Sequence, residues 1–196
     1  MVELALLRSA VHLASSGATS DFDLNPAVAL PPDRKLRPAA VLIAFQPGKG
    51  VWLTKRSSHL KHHPGQIAFP GGKLDPADAS LQAAALRETE EEIGLPPDHV
   101  RILGALPPHE TVTGFLVTPF VGNVHRDFTA RPEAGEVDEV FTVPLHHLLD
   151  TDNYLIQSRQ WQGQLRRYYT VPWGPYYIWG ATARILYGLA ARTPVS

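Results

Sequence analysis

Four glutamates crowd one short stretch, Glu88-Thr89-Glu90-Glu91-Glu92. On a helix each residue turns about 100° from the last, so Glu88 and Glu92 stand nearly one above the other. Glu91 lies beside them and Glu90 points to the far side. Like charges four residues apart destabilise a bare helix. Three carboxylates on one side therefore need compensation, and a divalent cation provides it. An all-oxygen ligand set suits Mg²⁺ or Mn²⁺. A solvated acidic helix face is the competing reading, and the cluster alone does not choose between them. Its surroundings favour the metal: a Phe69-Pro70-Gly71-Gly72 turn precedes it, and Arg87 stands one helical turn before Glu91.

These residues need a helix and something to hold it. The alanine-rich segment Ser80–Ile93 predicts that helix, with Asp78 or Ser80 as N-cap and Gly94 in the C-cap role. Leu81, Ala85 and Ile93 form an adjoining stripe fit to pack on a sheet. The apolar run Pro38–Phe45 reads as a buried strand. Gln46–Gly50 reads as a turn and Val51–Thr54 as the returning strand. Further strands are expected at Val100–Ala105, Phe115–Asn123 and Val140–Val143, then a short helix opening at Pro144–Leu149. Tyr154–Arg159 and Leu165–Val171 flank Gln162-Gly163 as a second hairpin. A last helix is expected at Gly180–Ala191. The aromatic group Trp173, Tyr176, Tyr177 and Trp179 is expected to pack the core beneath that helix, in preference to stacking on a base. At the front, residues 2–14 show helical spacing of Leu4, Leu7, Val11 and Ala14. Residues 15–37, rich in Ser, Asp and Pro, read as an arm lying on the domain. The division is thus a helix and arm at 1–37 and one domain at 38–196.

The 196 residues suffice for one domain with a substantial core. The formal net charge of −1 argues against a nucleic-acid partner. The absence of cysteine excludes disulfides, thiolate catalysis and cysteine-ligated zinc, and favours a cytoplasmic location. No apolar run approaches the length of a membrane span, so no membrane partner is expected. The first seventeen residues carry Glu3 and Arg8 and make a poor secretory signal. The C-terminal residues are not a peroxisomal or endoplasmic-reticulum address.

Taken together, Gly72, Asp78, Arg87-Glu88, Glu91-Glu92, Gly94 and Leu95 resemble the signature box of the Nudix hydrolases. Asp78 stands where Glu is usual and Thr89 where an aliphatic residue is usual. One extra residue lies between Asp78 and Arg87. The resemblance covers about residues 38 to 190. It implies an α/β (α+β) fold, a mixed β-sheet between α-helices, and metal-dependent hydrolysis of a diphosphate. Carried onto this chain, it implies Glu88 and Glu92 as metal ligands, Glu91 as a third ligand or one acting through water, and the Gly71 carbonyl as a further one. Arg87 fixes the rotamer of Glu91. The general base is a box glutamate or a later loop carboxylate; Glu136 is the candidate, with Glu110 as rival and Asp138 and Glu139 nearby.

The stretch Arg56–Gly65 is cationic within a nearly neutral chain. Arg56, Ser57, Lys61, Gly65 and Phe69-Pro-Gly-Gly are similar to the motif of the coenzyme A pyrophosphatase branch, with Lys61 in place of Arg. Tyr177–Leu186 is similar to the same branch. The resemblance implies Arg56, Ser57, Lys61, Gly65 and Phe69 as substrate-binding residues. It implies a coenzyme A-like small molecule as substrate, products 3′,5′-ADP and 4′-phosphopantetheine or its acyl form, and a possible homodimer. Arginine suits bidentate phosphate contact and lysine a point-charge role. The alternatives are another nucleoside diphosphate derivative, such as ADP-ribose or NADH, and a catalytically silent nucleotide-binding domain. His62-His63 is expected to be a polar loop, not a metal pair.

Overall fold

The computed structural model describes residues 2–13, 17–28, 30–31, 33–60, 63–161 and 163–193. Lys61 and His62, two of the loop residues singled out above, lie outside the described residues, as does Ala14.

The chain builds a mixed α+β fold around one large sheet. Helix α1 (Val2–His12) and strand β1 (Thr19–Ser20) precede the central strand β2 (Arg37–Gln46). Then come β3 (Gly50–Arg56), β4 (Ile67–Ala68), β5 (Gly71–Lys73) and helix α2 (Leu81–Ile93). After these follow β6 (Val100–Ala105), β7 (His109–Glu110), β8 (Phe115–Val124), β9 (Val137–Val143) and helix α3 (Leu145–Leu149). The hairpin β10 (Leu155–Trp161) and β11 (Gln164–Thr170) stands apart as its own two-stranded sheet, and α4 (Ala181–Ala190) closes the fold.

β2 is apolar without alternation because both of its faces are covered. Ile43 and Phe45 enter one core, with Leu53, Val121 and Val143 and with residues of α1, α3 and α4. Leu42 and Ala44 enter a second core on the opposite face, against Ile93 of α2, Leu95, Trp52 and Val124. β2 pairs in parallel with β8 and antiparallel with β3 and β5. The expected sandwich of helices about a mixed sheet is what forms. Among the described residues no helix is long and apolar enough to cross a membrane.

Several elements differ from the sequence expectation. The Pro-Gly-Gly turn runs into a strand, β5, registered on β2 through Val41↔Gly71 and Ala40↔Gly72. β9 begins three residues earlier than its apolar end indicates, because its polar start pairs with Lys55 and Arg56 of β3. The connector after Ala105 contains β7, and the arm contributes β1, paired in parallel with it. Two-residue strands have no periodicity to read; their partners define them. In the aromatic group, Trp173 and Tyr176 pack against the main core, and Tyr176 stacks on Phe141 at 3.5 Å between centroids. Tyr177 departs from the expectation: it is 42% exposed.

Candidate active site

Helix α2 begins at Ser80, whose side chain accepts from the Ala83 N–H at 3.1 Å. It ends at Gly94, in the left-handed conformation at φ 72°, with its N–H bonded to the Glu90 carbonyl. Asp78, the other candidate cap, has a different task. It accepts from Asp75 N–H and receives the Arg87 guanidinium bidentately, both contacts at 2.9 Å. The usual aliphatic position holds Thr89, which is buried. Its hydroxyl donates back to the Ala85 carbonyl at 2.6 Å, so the polar group is satisfied inside the helix.

Arg87 is the hub of the box. Beyond Asp78 it bonds Glu91 at 2.9 Å and reaches Glu88 at 3.1 Å. The Asp78 hydrogen bond is the largest influence raising the Arg87 pKa further, and the same pair lowers that of Asp78. Glu91 is thereby held at the exposed rim, with its side chain 56% accessible.

Glu92 turns toward the sheet, and Glu88, while reached by Arg87, rests on it too. The Glu88 carboxyl lies directly on Gly72, where an added Cβ would come within 2.4 Å of its carbon. Gly71 sits at φ 147° against the Ala40 carbonyl, which a Cβ would meet at 2.4 Å. These two glycines let the backbone approach both β2 and the carboxylates. Glu92 is buried, and its Oε2 accepts the Gly71 N–H at 3.2 Å. Burial pushes its pKa up to about 8; the Gly71 N–H and the Arg56 charge oppose that rise, while Glu88 and Glu136 add to it. Burial also raises Glu88, against the pull of Arg87.

Among the described residues no three His, Cys, Asp or Glu side chains are gathered closely enough to hold a metal as they stand. Glu91 shares the Arg87 guanidinium with Glu88, and its charge bears on Glu88. Nonetheless the donor set fits a hard divalent cation. Two neighbouring carboxylates, one buried and one half-buried, both resist ionisation, and every side-chain donor is oxygen.

Two segments close over this centre. Residues 125–136 cross the C-terminal end of α2. There the N–H groups of Arg131 and Glu133 bond the carbonyls of Ile93 and Glu92, each at 3.0 Å. The segment is tied down at its front by Asp127, bonded to Gln46 at 2.7 Å and Lys49 at 3.1 Å, with Gln46 in turn accepting from Trp52. At its end stands Glu136, whose charge bears on both Glu88 and Glu92. Its rival Glu110 is elsewhere, clamped by Arg34 at 2.6 and 2.7 Å. Asp138 accepts from the Ser58 N–H, and Glu139 accepts from the Tyr176 hydroxyl. Nothing in the sequence marked Asp127 or Gln46; their bond spans eighty-one positions.

The second segment is the cationic loop. Arg56 N–H bonds the Gln66 carbonyl at 2.9 Å, and Gly65 N–H bonds the Arg56 carbonyl at 3.0 Å. Ser57 is buried, and its N–H bonds the Glu136 carbonyl at 2.8 Å. Arg56 thus stands within electrostatic reach of Glu92, and Gly65 closes the loop at φ 69°. Phe69 differs from the role of a substrate contact: its ring is 4% exposed and lies in the main core, so it seats the turn.

The NUDIX domain family model matches residues 35–163. NudL of Enterobacter sp. (strain 638), described as an uncharacterized Nudix hydrolase, is 47% identical over 160 residues, covering 80% of this chain and 82% of that protein. NudL of Shigella flexneri, described in the same words, is 44% identical over 162 residues, with 82% and 84% covered. A solved MutT/nudix family protein from Enterococcus faecalis is 15% identical with a TM-score of 0.49, covering 85% of this chain and 65% of that one.

Proposed function

This chain belongs to the Nudix hydrolase family, and from that premise we propose that it cleaves the diphosphate of coenzyme A or its derivatives. The products are 3′,5′-ADP and 4′-phosphopantetheine, or the acyl form of the latter. The observation that carries the proposal is the junction of the cationic loop with the carboxylate centre. Arg56 acts on Glu92, and Ser57 is bonded to the backbone of Glu136. A substrate with a phosphate beyond its diphosphate calls for cations at that junction.

Mg²⁺ or Mn²⁺ would be held by Glu88, Glu91, Glu92 and the Gly71 carbonyl. When bound, it neutralises the diphosphate and lowers the pKa of water. The chain's own residues do the rest. Arg87 orients Glu91 and, through Asp78, fixes the start of α2 to its acidic loop. Gly72 gives Glu88 its seat. Arg56 is the counter-charge for substrate phosphate. Glu136 takes the proton from the attacking water. The water oxygen then bonds one phosphorus, the bridging P–O bond breaks, and its electron pair leaves on the other phosphate.

The test is a panel of coenzyme A, dephospho-coenzyme A, ADP-ribose and NADH, with products identified in Mg²⁺ and in Mn²⁺. Coenzyme A is expected to turn over best. A clear preference for dephospho-coenzyme A or ADP-ribose overturns the assignment.

A further inference from the structure

The hairpin β10–β11 contains Arg159, Arg166 and Arg167 and no acidic residue. Directly opposed residues of an antiparallel pair share a face. The registers Gln157↔Tyr168 and Arg159↔Arg166 therefore put four side chains on one face. Ser158↔Arg167 belongs to the other. Arg159 and Arg166 turn to different partners: Arg166 lies over the Phe22 ring at 5.8 Å.

The face has further structure. The Arg159 guanidinium lies over the Trp179 ring at 4.5 Å and over Tyr168 at 6.0 Å. Tyr168 meets Trp179 edge-on at 5.4 Å. Tyr177, exposed, donates to Gln157 at 2.8 Å, extending the aromatic surface. Ring contact holds a guanidinium in place while leaving its N–H edge free to donate. Among the described residues no carboxylate pairs with Arg159, which is exposed.

This face borders the cationic loop. Trp179 bridges to Thr170 at the end of β11, and the next residue, Gly180, lies beside the Gln66 side chain. Gln66 is the residue whose carbonyl receives the Arg56 N–H. Thr182 donates to the Ile67 carbonyl at 3.1 Å, fixing the aromatic segment to the strand that follows the loop. A run of contacts thus leads from Arg56, at the carboxylate centre, to Arg159 on the hairpin.

We infer that Arg159, held by Trp179 and Tyr168, is a specificity-determining residue that binds a phosphate monoester on the nucleoside end of the substrate. The inference rests on the coenzyme A reading above, since it requires a substrate with a phosphate outside the scissile diphosphate.

The test compares binding of adenosine 3′,5′-bisphosphate and AMP by calorimetry to the unmodified protein, Arg159→Ala, Arg159→Lys and Arg167→Ala. The unmodified protein should prefer the bisphosphate. Arg159→Ala should weaken the bisphosphate about tenfold and leave AMP unchanged, and Arg159→Lys should retain part of the preference. Arg167→Ala, on the opposite face, should retain all of it. Preference surviving intact in Arg159→Ala, or lost equally in Arg167→Ala, overturns the role of Arg159 and leaves the coenzyme A reading standing. Absence of any preference in the unmodified protein removes both.

Discussion

The carboxylate end of α2 and the loop that faces it are held by opposite means. In the box, side chains hold one another: Arg87 grips Asp78, Glu88 and Glu91, and Glu88 rests on Gly72. In the cationic loop, backbone groups do most of the holding, through Arg56 to Gln66, Gly65 to Arg56 and Ser57 to Glu136, with Asp138 on the Ser58 N–H as a side-chain contribution. Side-chain wiring fixes residue types at fixed spacing. Backbone wiring fixes the path of the chain and leaves its side chains open to change. Under the proposed function, reaction chemistry belongs to the first region and choice of substrate to the second. Substitutions in the box should damage turnover whatever the substrate, and substitutions around the loop should change which substrate is preferred.

The strongest break is Glu92→Gln. It removes the buried carboxylate while keeping an oxygen for the Gly71 N–H. We expect kcat to fall by roughly 10³-fold or more, as loss of a metal-holding charge costs several kcal/mol. The melting temperature in chelator should not fall, because a neutral amide suits that buried site better than an ionised acid. Unchanged turnover would remove Glu92 from the metal site.

Next in size is Gly72→Ala. Gly72 does not need a left-handed backbone; its place is set by the Glu88 carboxyl, which a methyl group would meet at 2.4 Å. Displacing Glu88 by an ångström or so should reduce kcat on the order of 10²-fold. Circular dichroism should show the fold intact. Equal losses on coenzyme A and ADP-ribose would sharpen the division of labour, and a loss on one alone would blur it.

How much of this was legible beforehand follows the same division. The box could be read because its chemistry depends on residue types at helical spacing: Arg87, Glu88, Glu91 and Glu92 declare themselves on one helix. The central strand β2 was legible because it is apolar on both faces. The short strands β1, β4, β5 and β7 were not, since a two- or three-residue pairing carries no period of its own. Phe69 was assigned to substrate on motif alone, yet its ring lies in the main core with Ile67 and Ile178. The clamp of Gln46, Lys49 and Asp127 on the 125–136 segment was invisible, because it joins residues about eighty positions apart with no shared pattern. Asp78 was read as a possible cap from its residue type, whereas its partner, Arg87, lies nine residues on.

A third, smaller effect concerns pH. Burial raises the Glu92 pKa in the folded chain to about 8, above its ordinary value of 4.5. A carboxyl raised in this way leaves stability untouched below its unfolded value, and that stability is lost as pH rises through the folded one. In excess chelator, the protein should therefore lose stability on the order of a few kcal/mol between about pH 4.5 and 8. Denaturant midpoints across that range measure it. Glu92→Gln should flatten the slope, and an equally steep slope in that variant would assign the effect to another group. The loop places no carboxylate in a comparably buried site: Asp138, which accepts from the Ser58 N–H, is held below its ordinary pKa by that bond.

The smallest effect tests a region that belongs to neither part. The arm is held to the sheet by β1 on β7 and by Arg34 with Glu110, and to α4 by Arg184 with Asp23. Arg34 bonds Glu110 bidentately, but its side chain is 34% exposed, so water screens the pair. Arg34→Ala should move the urea denaturation midpoint only slightly. It should leave kcat and the order of substrate preference unchanged, because Glu110 is clamped on β7 by Arg34, whereas the loop charge that bears on Glu88 and Glu92 is Glu136. A change in turnover beyond twofold would instead connect the arm to the carboxylate centre and restore Glu110 as a rival to Glu136 for the proton of the attacking water.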